Sequence, residues 1–97
     1  MAGYRLLSEA KNELEAAVSF YESEYPGLGL DFAIEVRRLC RMISESPMSG
    51  LEIRPDIRRR ILRRFPFSIL YIVEGDKVLI IAVAHQSRRP GYSHRRV

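Results

Sequence analysis

The 97-residue chain has no tryptophan, one cysteine and two histidines. The lone thiol, Cys40, excludes an internal disulfide, and a small domain without disulfides suits a reducing cytoplasm. His85 and His94, nine residues apart and with no second cysteine, match no structural zinc spacing, so no metal or cofactor is expected. Long apolar runs are missing too. The longest, Val78 to Ala84, has seven residues, where about 20 are needed to span a bilayer. The opening MAGYRLLSEAKNEL lacks the apolar stretch of a secretory leader. Gly27-Leu28-Gly29 lacks the third glycine and the preceding strand of a dinucleotide loop, and reads as a turn. The expectation is a single cytoplasmic domain over residues 1–97 with no membrane association.

Charge is plentiful and unevenly placed. Residues 1–53 carry five Lys/Arg against nine Asp/Glu, net −4, and residues 54–97 carry eleven against three, net +8. Fourteen of the sixteen basic residues are arginine, whose planar fork grips phosphate or carboxylate through paired hydrogen bonds. This imbalance points to an anionic partner for the C-terminal half.

Tyr4 to Leu7 reads as a short strand. Ser8 is placed as the N-cap of a helix whose apolar positions are Ala10, Leu14, Ala17, Val18, Tyr21 and Tyr25. Pro26-Gly27 stops it. Leu28, Phe32, Val36, Leu39, Cys40 and Ile43 then recur at three- and four-residue steps, which predicts a second helix ending before Pro47. The turn between the helices is short, so they should pack as an antiparallel hairpin. Cys40 lies on this apolar stripe and reads as a buried hydrophobe, not a nucleophile.

Residues 47–56, PMSGLEIRPD, read as a loop. Ile57 to Arg64 reads as a basic strand, Phe67 to Val73 as a second, and Val78 to Ala84 as a third, apolar throughout and covered on both faces. Glu74-Gly75-Asp76 makes the turn between the last two. The predicted class is α+β, in the order β-α-α-β-β-β, with a helical hairpin on one face of a small antiparallel sheet.

Side chains alternate along a strand, so Arg58, Arg60 and Arg64 are expected on one face and Arg59 and Arg63 on the other. With Arg88, Arg89, Arg95 and Arg96 they form a candidate cationic stripe for phosphate. Protection of a sheet edge is the other use of such charges. His85 and Tyr92 are the candidate proton-transfer groups. Cleavage of RNA by its own 2′-hydroxyl needs a base, cations at the phosphate and an acid for the leaving oxygen. The structural alternatives are a strand-end histidine bonded to backbone and a tyrosine lid over the core edge. His94 is expected to be solvated.

Three stretches, EAAVSFYESEYPGLGLDF, RRFPFSILYIVEGDKVLIIAVAH and HQSRRPGY, in this order and spacing, make the chain resemble the RelE/ParE superfamily, toxins of type II toxin–antitoxin (plasmid stabilisation) modules. The resemblance runs from about Tyr4 to Arg96 and implies the fold read above. It also implies a cognate antitoxin that wraps the domain, with the apolar groove around the helical hairpin and the basic sheet face as docking surfaces. RelE-like members cut mRNA on the ribosome, whereas ParE-like members inhibit DNA gyrase. Where cutting members carry arginine this chain has Ser68 and Gln86, and their paired lysines fall at Arg59 and Ile61. Only the terminal aromatic, Tyr92, is in place. The favoured expectation is therefore a non-catalytic, ParE-like gyrase inhibitor. A RelE-like nuclease using His85 and Tyr92, with Arg63, Arg88 and Arg89 on phosphate, is the alternative. An inactive member that only binds its antitoxin is the third.

Overall fold

The period of the apolar pattern changes from helical to extended near residue 50, and the architecture follows it. The computed structural model describes residues 3–97, so Met1 and Ala2 of the expected domain lie outside the described residues. Strand β1 is Tyr4–Leu6, followed by helices α1 (Ser8–Glu24) and α2 (Leu28–Glu45). Strands β2 (Leu51–Arg54), β3 (Ile57–Ile61), β4 (Phe67–Glu74) and β5 (Lys77–His85) complete the set. The sheet order is β1-β5-β4-β3-β2, so the most apolar strand, β5, is internal, as its composition requires.

The helical hairpin covers one face. Phe32, Val36, Leu39, Cys40 and Ile43 of α2 are buried, with Ala10 and Ala17 of α1. Tyr21, Phe32, Phe65 and Phe67 form an aromatic cluster at one end, with ring centroids 4.9–6.1 Å apart in tilted and edge-on pairs. The hairpin is closed by a carboxylate. Glu22 accepts the N–H groups of Gly27 (3.0 Å) and Gly29 (3.1 Å), which places a negative charge at the start of α2, where the helix dipole favours it. Gly27 takes φ 90°, and a Cβ on Gly29 would lie 2.6 Å from the Val18 carbonyl oxygen.

Several sequence expectations are corrected. Ser8 does not cap α1: its hydroxyl only meets Glu9 at 3.3 Å, and Leu7 holds the N-cap position without a side-chain bond. Tyr25 lies past the end of α1 and is exposed. The loop 47–56 contains a short 3-10 turn at Pro47–Ser49 and the strand β2. It pairs with β3 through a two-residue turn in which Asp56 takes φ 69°. Finally, the sheet is not wholly antiparallel, because β1 runs parallel to β5, Tyr4 facing Val78.

The basic strand is shorter than predicted. It stops at Ile61, after which Leu62 and Phe65 turn into the core. Glu35 of α2 accepts the Arg63 N–H (2.6 Å) and the Arg64 N–H (3.3 Å), and ion-pairs with the Arg64 guanidinium. Burial alone would raise the pKa of Glu35, but these backbone and side-chain bonds outweigh it and lower the value.

Candidate functional site

The face of the sheet away from the helices carries a smaller apolar layer: Ile57, Leu70, Leu79, Ile81, Ala82 and Ala84, with Ile53, Ile72 and Tyr92 against it. A bulge shapes this layer. Leu70 pairs with Ala82 but Tyr71 pairs with Ile80, which leaves Ile81 as the extra residue. Ile81 and Ala82 consequently both join the open-side layer, and Val83 returns to the helix side. The ring of His85, two residues on, stands edge-on to Phe67 at 5.1 Å.

The tail after β5 folds back over the open layer. Successive backbone bonds hold it: Gln86 N–H to Pro66 O, Arg88 N–H to His85 O, Tyr92 N–H to Arg89 O and His94 N–H to Gly91 O. Gly91 takes φ 85° at the sharpest bend. Beyond that bend, the tail is pinned to α1 by Glu13. One oxygen of Glu13 accepts the Tyr92 hydroxyl (2.7 Å), and the two oxygens together accept the Arg96 fork (2.9 and 3.1 Å). The same carboxylate takes the Val83 N–H (3.0 Å), and Arg96 donates to the Ile81 carbonyl (2.8 Å). These bonds satisfy the edge of β5 where β1, paired only as far as Ile80, has ended.

Burial by itself would raise the pKa of Glu13. The hydrogen bonds from Arg96, Tyr92 and the Val83 N–H, with the Arg96 charge, outweigh burial and hold it below the usual carboxylate value. Burial, then the Glu13 bond and charge, push the Tyr92 phenol well above its ordinary value. Two guanidinium groups also lie over the Tyr92 ring, Arg88 at 5.1 Å and Arg96 at 5.0 Å from its centre.

Between tail and sheet lies a cavity of about 450 Å³, lined among others by Arg54, Arg59, Arg88, Arg89, Tyr92 and His94. Arg59 pairs with Leu70 on the open side. Arg58 and Arg60 point the other way: Arg58 donates to the Gly50 carbonyl (2.8 Å) and Arg60 to the Ser49 hydroxyl (2.8 Å). Arg63 and Arg64 line a second groove of about 390 Å³ against α2, with Arg38, Ile34, Met42 and Ile61. The expected single stripe is therefore two separate basic surfaces, because Arg58 and Arg60 are tied to the 3-10 turn and the strand ends before Arg63.

The two candidate proton-transfer groups are both engaged. His85 Nδ1 accepts the Ser87 N–H (3.0 Å) and lies 2.8 Å from the Ser87 hydroxyl. A backbone N–H can only donate, so in the neutral ring the proton sits on Nε2 and the accepting nitrogen is already occupied. The Tyr92 phenol is committed to Glu13. His94 is not solvated as expected. Both of its ring nitrogens are buried without a partner, and burial, with the charge of Arg54, lowers its pKa.

Compared with protein families, residues 4–90 match the model for the ParE toxin of the type II toxin-antitoxin system, parDE. The chain belongs to the ParE toxin family. Among curated proteins, no sequence matches it. Among solved structures it is similar to a chain of the chromosomal ParDE toxin–antitoxin system from P. aeruginosa, with a TM-score of 0.75 and 20% identity over 88% of this chain and 95% of that one. At that identity the likeness carries the fold. Among the described residues of this ParE-family chain, no helix is long and apolar enough to cross a membrane.

Sequence reasoning missed Arg54, Glu13 and the roles of Arg96 and His94. Arg54 was hidden by the reading of 47–56 as a loop. Glu13 breaks no pattern on α1, and only the returning tail gives it partners. Cys40 lies where the helical spacing placed it, buried, with its thiol pushed up to about 12 by desolvation.

Proposed function

We propose that this type II toxin arrests growth by binding rather than by chemistry, that its target is DNA gyrase, and that a cognate antitoxin neutralises it in the cytoplasm. The observation that carries this reading is the engagement of both proton-transfer candidates. Tyr92 donates its only proton to Glu13, and His85 receives a backbone N–H on its accepting nitrogen. To move a substrate proton, Tyr92 would have to give up its bond to Glu13 and the His85 ring its backbone donor, which favours binding over proton transfer. Family membership and the likeness to a ParDE toxin–antitoxin structure support the antitoxin. The groove beside α2 suits it. Ile34, Met42 and Ile61 are 43%, 46% and 51% exposed there, and Arg38, Arg60, Arg63 and Arg64 outnumber Asp31 and Glu35 around them, a surface for a segment with an apolar stripe and acidic flanks.

The test is induction in cells with parallel readouts. Supercoiling loss or double-strand breaks with intact transcripts are expected, and growth arrest should survive His85→Ala. Cuts in mRNA that vanish with His85→Ala would establish the nuclease instead. An absence of growth arrest would leave an inactive, antitoxin-binding member.

A further inference from the structure

The open-face cavity has an unusual charge balance. Arg54, Arg59, Arg88 and Arg89 line it from three elements, β2, β3 and the tail, and its lining holds no carboxylate. The ion pairs among the described residues involve Arg5, Arg64 and Arg96, not these four. His94 adds two buried ring nitrogens without partners to the same wall. Four like charges gathered in a concave wall repel one another unless an anion enters. The floor is apolar and small, Leu70 and Ala84, with the Ser68 hydroxyl and the Gln86 amide at hand for neutral hydrogen bonds.

We propose that this cavity binds successive phosphates of a DNA backbone, so that the toxin holds DNA as well as its protein target. Arginine forks suit phosphate oxygens, and four of them exceed what one phosphate can use. The spread over three elements fits a backbone track better than a single nucleotide. Pairing with Leu70 sets the Arg59 backbone on the open side of the sheet, and the Arg88 guanidinium lies 5.1 Å from the centre of the Tyr92 ring. The inference deepens the gyrase reading and depends on it only for the identity of the nucleic acid.

The experiment is fluorescence anisotropy of the purified chain with a short fluorescein-labelled DNA duplex over a range of salt. Affinity should fall steeply with salt, and Arg59→Gln or Arg89→Gln should each reduce the log–log slope by about 1. Arg37→Gln removes the same charge from an exposed site on α2 and should change little. Equal loss from Arg37→Gln, or ATP displacing the duplex at matched phosphate concentration, would overturn the proposal. Duplex binding through Arg59 and Arg89 without any effect on supercoiling would leave this inference standing and remove the gyrase reading. Gyrase inhibition by a chain that binds no duplex would do the reverse.

Discussion

Glu13 is the residue on which the tail depends. Its side chain is 13% exposed and that of Arg96 is 17%, so the pair is weakly screened. Glu13→Gln leaves Arg96 charged and half-satisfied and should destabilise the fold by about 2–4 kcal/mol in urea titrations. Tyr92→Phe removes only the hydroxyl and should cost about 1 kcal/mol, with growth arrest retained if the phenol is structural. The pH dependence has a definite sign. The folded pKa of Glu13 is depressed, so its contribution is complete above the unfolded carboxylate value and is lost as pH falls through the folded one. Acid should therefore loosen the tail first, seen as earlier amide exchange after Ala84 than in β4 or β5. Glu13→Gln should weaken this acid response, and an unchanged response in that variant would assign it elsewhere.

At the level of elements, the strength of the sequence signal tracks how completely each segment is buried. The helix periodicity of α2 and the apolar run of β5 were legible because one face or both faces meet the core. Strand β2 was not, because it lies at the sheet edge with Leu51, Glu52 and Arg54 exposed. What holds β2 in place is a contact that no local pattern encodes. The buried Tyr71 hydroxyl accepts the Gly50 N–H (3.0 Å) and donates to the Pro47 carbonyl (2.6 Å), so one phenol from β4 fixes the turn entering β2. A Cβ on Gly50 would lie 2.5 Å from that oxygen. Gly50→Ala should therefore cost about 2 kcal/mol or more, as overpacking and loss of the bond act together. Tyr71→Phe should cost about 1–3 kcal/mol and lower the protection of β2 amides in hydrogen exchange. If β2 exchanges no faster in Tyr71→Phe, the edge is held by its pairing with β3 alone.

Over the whole molecule, the net −4 and +8 halves do not meet as one acidic and one basic side. The open face and the α2 groove each collect their own arginines, separated by the sheet and by the bonds that turn Arg58 and Arg60 toward the 3-10 turn. Composition made the cationic character legible. The division into two surfaces was not, because it depends on where β3 ends and on the tail folding back. The division has a consequence for function. If the α2 groove seats the antitoxin and the open cavity contacts the target complex, the two activities separate by mutation. Ile61→Asp places a charge among Ile34 and Met42 and should abolish rescue by the antitoxin while growth arrest persists. Charge reversal at Arg59 and Arg89 should abolish arrest while antitoxin binding, followed by calorimetry, changes less than about tenfold, a difference under about 1.4 kcal/mol. Loss of both activities in both variants would mean that a single continuous surface serves antitoxin and target, and that neutralisation is direct occlusion of the poisoning face.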